Sequence, residues 1–144
     1  MKKFISMSLI VLIALFSAVP VYAADETKSA GTQGEVTPQF TYISFLSPGL
    51  SIDSSGKATS VGAAAGYDNL YRTDLTVQLQ KSNGGGWTVI KTWTASATGV
   101  SIADVEGDYY VVRGAYRVCA TAKIYNTSGT LLETQSLYSV TVTY

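Results

Sequence analysis

The most restrictive feature of this sequence is a period of two. Val77 and Leu79 alternate with Gln78 and Gln80, and Val118, Ala120, Ala122 and Ile124 alternate with Arg117, Cys119, Thr121 and Lys123. Near the end, Tyr138, Val140, Val142 and Tyr144 alternate with Ser139, Thr141 and Thr143. A helix repeats about every 3.6 residues and a strand every two, so these runs are strands with one apolar and one polar face. That pattern belongs to antiparallel sheets. From Phe40 onward Val, Ile, Thr, Tyr and Trp predominate, residues that suit a pleated, half-buried surface, and no window of helical period competes.

Turn signals separate the runs at Asp53-Ser54-Ser55-Gly56, at Ser82-Asn83-Gly84-Gly85-Gly86 and at Asn126-Thr127-Ser128-Gly129. Gly and Asn adopt the positive φ that tight hairpins demand. The spacing predicts strands over 41–53, 57–66, 71–82, 87–95, 99–113 with a break at Gly107, 115–125 and 130–144. Seven antiparallel strands joined in this way predict an all-β immunoglobulin/fibronectin-type-III-like β-sandwich over residues 40–144. Gly114 opens the sixth run, and Tyr116 stands two residues before the inward Val118, the spacing of a tyrosine corner. A closed barrel accounts for the same strand count and alternation.

The first residues decide the compartment. Lys2 and Lys3 precede an apolar run from Phe4 to Phe16, and a short polar region ends in Val21-Tyr22-Ala23. Charged, apolar and cleavage regions in that order make residues 1–23 a secretory signal peptide cut after Ala23. The apolar run is too short and too interrupted by serines to span a bilayer, which takes about 20 residues. No Cys stands at the cut to accept lipid, and no apolar tail follows the last strand, so the expectation is a released, extracellular protein with no membrane anchor. Residues 24–39 are small or charged and bury little, which predicts a disordered polar leader.

With Lys2 and Lys3 gone, ten acidic residues face eight basic ones. No basic cluster exists to hold a phosphate backbone, so nucleic acid is not an expected partner. Cys119 is the one cysteine, which excludes an internal disulfide and leaves a disulfide-linked dimer as the available use of that thiol. The sequence has no His, the commonest general base and metal ligand. A Ser or Cys nucleophile would need another activator. Nothing in the spacing of the acids suggests a carboxylate pair, and neither an enzyme nor a cofactor is expected.

Three binding features stand out. Asp104, Glu106 and Asp108 bracket Gly107 and could offer oxygen ligands to Ca²⁺ in a loop between strands, or simply solvate a turn. Trp87 and Trp93 lie six residues apart, so on an uninterrupted strand they share a face. With Tyr125 nearby, two exposed indoles could stack on sugar rings or anchor a protein, although Trp on a sandwich strand commonly packs against the core. Asn126-Thr127-Ser128 matches a glycosylation sequon but is also a plain hairpin turn.

The segments Tyr42-Ile-Ser, Gly49-Leu-Ser-Ile, Ser55-Gly-Lys-Ala-Thr59, Leu79-Gln-Lys, Gly86-Trp87, Lys91-Thr-Trp93, Tyr116-Arg-Val and the closing Tyr138-Ser-Val-Thr-Val-Thr-Tyr144 together resemble an uncharacterised family of small secreted proteins of Gram-positive bacteria. The resemblance runs from about Tyr42 to the end and includes the signal peptide. It implies a bacterial origin, export and a β-sandwich, and it carries no activity and no site. The expectation is therefore a secreted, non-enzymatic domain that binds a glycan or a protein, with a self-associating matrix component as the alternative and an enzyme last.

Overall fold

The structure, a computed structural model, describes residues 38–144. The expected signal peptide and all but the last two residues of the expected leader lie outside the described residues. Eight strands follow in order: β1 Ile43–Ile52, β2 Lys57–Gly66, β3 Arg72–Ser82, β4 Trp87–Thr98, β5 Ala103–Tyr110, β6 Ala115–Tyr125, β7 Leu131–Tyr138 and the short β8 Val142–Thr143. Every pairing is antiparallel. They form two sheets, one in the order β1-β2-β5 and the other in the order β4-β3-β6-β7, with β8 beside the start of β6.

Alternation makes the core. Leu75, Val77 and Leu79 of β3 and Tyr116, Val118, Ala120, Ala122 and Ile124 of β6 are buried from one sheet, and Ile43, Leu46, Ala58, Ala64 and Ala103 from the other. Burying a Leu, Ile or Val side chain contributes about 1.5–3 kcal/mol, so this shared interior is the main source of stability in a chain with no internal disulfide. Close approach of the sheets requires small residues on one side. A Cβ on Gly62 would run into Val77, and one on Gly107 into the indole of Trp93.

Several expected boundaries shift. β4 continues to Thr98, and β5 starts at Ala103 because Gly99 and Val100 turn the chain, Gly99 at φ +70°. β5 runs unbroken through Gly107, which faces Trp93 instead of breaking the strand. The last run splits at Ser139. Its Oγ accepts the Val118 N–H at 2.9 Å while its own N–H donates to the Val118 carbonyl, so a side chain replaces one rung of the ladder.

The chain direction sorts the connections between two ends. One end carries the turns 53–56 and 83–86 and the 111–114 link. The other carries the β2–β3 loop (67–71), the β4–β5 loop (99–102) and the β6–β7 turn (126–130).

Candidate functional site

The strands do not bring Trp87, Trp93 and Tyr125 together. On β4, Val89 opposes Gln80 and Lys91 opposes Leu79, so Ile90 is an extra residue in a β-bulge. One inserted residue flips the faces beyond it. Trp93 therefore opposes Val77 and packs against the core, whereas Trp87 opposes Ser82 on the outer face. Two tryptophans expected to share a face lie on opposite faces. Tyr125 is outward, eight residues along β6 from the Arg117 that contacts Trp87, or about 27 Å at strand rise.

Trp87 belongs to a stack that the sequence did not reveal. The Arg117 guanidinium lies 4.2 Å from the Trp87 ring centre and 3.9 Å from that of Tyr138, and its Nε donates to Gln80 Oε1 at 2.9 Å. Each ring thus gives one face to the cation, an attraction worth about 0.5–2 kcal/mol per pair. At the opposite end of β6, Arg72 lies 4.5 Å from the Tyr125 ring centre while gripping both oxygens of Asp74 at 3.1 Å. Cys119, outward by register, is only 5% exposed, opposite Tyr138 in the β6–β7 ladder. A disulfide to another chain needs the sulfur at the surface.

The acidic cluster is not a loop. Asp104, Glu106 and Asp108 point outward from β5 at successive positions of one face, opposite Ala63, Val61 and Thr59 of β2. Asp108 is committed within the sheet: Lys57 Nζ lies 2.7 Å from Oδ2, and Thr59 Oγ1 donates to Oδ1 at 2.7 Å. The bonds from Lys57 and Thr59 hold its carboxyl below the ordinary range, and the Asp108 partner raises Lys57. Carboxylates every second residue of a strand lie about 7 Å apart along it, too far to converge on one ion. Among the described residues no group of three or more metal-ligating side chains converges.

Tyr116 is buried, and its Oη donates to the Val112 carbonyl four residues back at 2.6 Å. That bond closes the link from β5 to β6. Gly114 exchanges main-chain hydrogen bonds with Tyr144 at 3.1 and 2.9 Å. Both residues brace the turn end.

Exposed apolar side chains stand at both ends of the molecule, with Tyr110, Val112 and Val140 at the turn end. At the loop end Tyr67 is 62% exposed, Leu70 66%, Val100 58% and Ile102 54%. The final pair of the β2–β5 ladder, Ala64 with Ala103, sends the two loops out from the sheet side by side. They are also bonded to each other, since the Gly99 N–H donates to the Tyr71 carbonyl at 2.8 Å. Within the first loop, Asp68 Oδ1 accepts the Leu70 N–H at 2.8 Å and the Asp68 carbonyl accepts the Tyr71 N–H at 3.1 Å, so Leu70 is held outward by a defined turn. Beside it opens a cleft of about 350 Å³ lined by Asn69, Leu70, Tyr71, Arg72, Thr98 and Asn126.

Glu133 of β7 supports this end from beneath. Its carboxylate accepts the N–H groups of Tyr42 at 2.7 Å, Ile43 at 3.0 Å and Thr41 at 3.3 Å, tying the start of β1 to the other sheet. Burial pushes the carboxyl up, but the three main-chain donors and Gln135 outweigh it and hold it below the usual range. The tie is therefore present above the ordinary carboxylate pKa and weakens as pH falls through the lowered one. Sequence reading missed Glu133, because an acid in a strand carries no local mark of a partner some ninety positions away. The loop cluster had a signal that went unread: Tyr67, Leu70, Val100 and Ile102 interrupt segments otherwise rich in turn residues.

No protein-family model matches the chain, and a search among curated proteins finds no significant relative.

Proposed function

We propose that this chain is an exported, non-enzymatic binding module of the immunoglobulin/fibronectin-type-III-like sandwich class, and that it contacts a protein partner through its loop end. The observation that carries the reading is the set of large apolar side chains, Tyr67, Leu70, Val100 and Ile102, left in water on two loops bonded to each other. Monomeric soluble proteins seldom gather such side chains at one place unless something covers them. The strand order β1-β2-β5 against β4-β3-β6-β7 and the Tyr116–Val112 bond support the sandwich class. Export rests on the charged, apolar and cleavage order of residues 1–23, and a Gram-positive source on the family resemblance.

Three of the four exposed residues are aliphatic or carry an aliphatic-scale surface suited to a protein pocket, and a sugar site needs flat aromatic platforms. The Trp87 and Tyr138 rings that could form such a platform already stack on Arg117. The adjoining cleft is close to neutral, because Asp74 occupies the Arg72 guanidinium, so recognition there works through apolar contact and amide hydrogen bonds.

The test is capture from culture medium and cell-wall extracts by the immobilised chain, followed by affinity measurement with the captured protein. Leu70→Ser with Ile102→Ser should weaken binding by about tenfold or more per side chain and leave the melting temperature unchanged, whereas Trp87→Ala should leave binding intact. Retention on a glycan column that Trp87→Ala abolishes, with the loop variant unaffected, overturns the assignment.

A further inference from the structure

The β3–β4 turn joins Asn83 to Gly84, and its geometry exposes the pair to an internal reaction. Gly84 has φ +84° and nothing within 4 Å of where a Cβ would stand, so no neighbouring side chain crowds that side of the turn. The one protein acceptor near that N–H is Ser82 Oγ at 3.5 Å, the outer limit of a hydrogen bond. On the other side of the reaction, Asn83 Oδ1 accepts the Gly85 N–H at 3.2 Å, which draws electron density from the side-chain carbonyl carbon. The amide nitrogen Nδ2, the leaving group, is turned away toward Thr88 Oγ1 at 3.1 Å. Nucleophile, polarised carbonyl and leaving group are set apart on an exposed turn.

We infer that Asn83–Gly84 is a self-modification site, where the chain converts its own asparagine to a mixture of aspartate and isoaspartate. Hydroxide takes the Gly84 amide proton, and the nitrogen attacks Asn83 Cγ to form a new N–C bond. The Cγ–Nδ2 bond breaks, and ammonia leaves with a proton from water. Water then opens the resulting succinimide at either carbonyl. Opening on the side-chain carbonyl's bond to Gly84 nitrogen restores the main chain as aspartate, and opening on the main-chain carbonyl routes the backbone through Cβ as isoaspartate. The net change is one water consumed and one ammonia released, with no redox partner. The other two asparagines are poorly placed for it. Asn69 and Asn126 precede Leu70 and Thr127, whose side chains crowd the nitrogen.

The product places a carboxylate where a neutral amide donated to Thr88, at the turn end and so away from the loops proposed to bind. Its success or failure is independent of that reading.

The purified chain is incubated in mildly alkaline buffer beside a short peptide spanning Ser82 to Thr88, and both are digested and sorted by mass. The expected result is loss of the Asn83 amide in the folded chain at a rate equal to or above that of the peptide. Two products of amide-to-acid mass should appear, ammonia should be released in equal amount, and the peptides carrying Asn69 and Asn126 should stay unchanged. Asn83→Gln, whose ring closure is slower, should release no ammonia over the same period. An Asn83 that keeps its amide while the peptide converts, or that converts more slowly than the peptide, overturns the inference.

Discussion

Two turns of this molecule are built to one plan and do different work. Asp53-Ser54-Ser55-Gly56 joins β1 to β2, and Asn126-Thr127-Ser128-Gly129 joins β6 to β7. In each, Oδ1 of the first residue accepts the N–H and Oγ–H of the serine two positions on and the N–H four positions on. In each, the first residue also donates its N–H to the carbonyl four positions on and accepts the N–H of a glycine, at φ +83° in one and +80° in the other. The surroundings differ. Gly56 is pressed against the Val111 carbonyl and the ring of Tyr144, and its carbonyl accepts the Val111 N–H at 2.8 Å. Gly129 has nothing within 4 Å, and its turn borders the cleft at the loop end. Local sequence dictates the shape of a hairpin, and what packs on it decides whether it serves as brace or as open surface.

The largest expected effect comes from giving both glycines a methyl group. Gly129→Ala should cost about 1–2 kcal/mol, the penalty of a left-handed residue with a Cβ. Gly56→Ala carries the same penalty and must also displace Val111 or Tyr144, an overpacking cost of about 1–3 kcal/mol more. Urea unfolding of the two variants measures the gap, and equal midpoints would break the comparison.

Removing the acceptor gives the next effect. Asn126→Ala deletes the bonds from Ser128 and Thr130 on an exposed turn and should lower stability by about 1–2 kcal/mol. It should also weaken partner binding, because Asn126 lines the cleft. Asp53→Ala should lower the melting temperature and leave binding unchanged, since that turn is at the far end. Binding lost equally in both variants would show that the loop end is not the contact surface.

The two turns were legible in the sequence because their information is local: an Asx residue, a serine and a glycine within four positions specify the whole hydrogen-bond set. Strand positions were legible for the same reason, and β2 and β6 match their expected bounds. What escaped was non-local. Whether Trp87 and Trp93 share a face depended on one extra residue at Ile90 opposite Leu79 and Gln80, and no residue type announces a bulge. Gly107 looked like a strand breaker and proved to be the space that admits the Trp93 ring from the other sheet. The acids around it then read as a loop when they are one outward row of β5. The apolar loop tips, finally, acquire meaning only when the β2–β5 ladder sets the two loops together.

The smallest expected effect isolates charge from shape. Asp53→Asn keeps every acceptor contact that Asn126 makes in the other turn, so at neutral pH the variant should be nearly as stable as the wild type. The Ser55 hydroxyl, the Lys57 and Ser55 N–H groups and the Lys57 charge hold the Asp53 carboxyl below its ordinary value of 3.8. A lowered folded pKa means stabilisation that is complete above the ordinary value and lost as pH falls through the lowered one. Wild type should therefore lose this increment under acid conditions below 3.8, and Asp53→Asn should not. Glu133 titrates in both proteins and cancels in the difference between the two melting curves against pH, whereas Asp108, which feels the Asp53 charge, adds its smaller response to that of Asp53. A difference that is flat from neutral to acid pH would mean that the charge of Asp53 contributes nothing and that the two turns are equivalent in all but their surroundings.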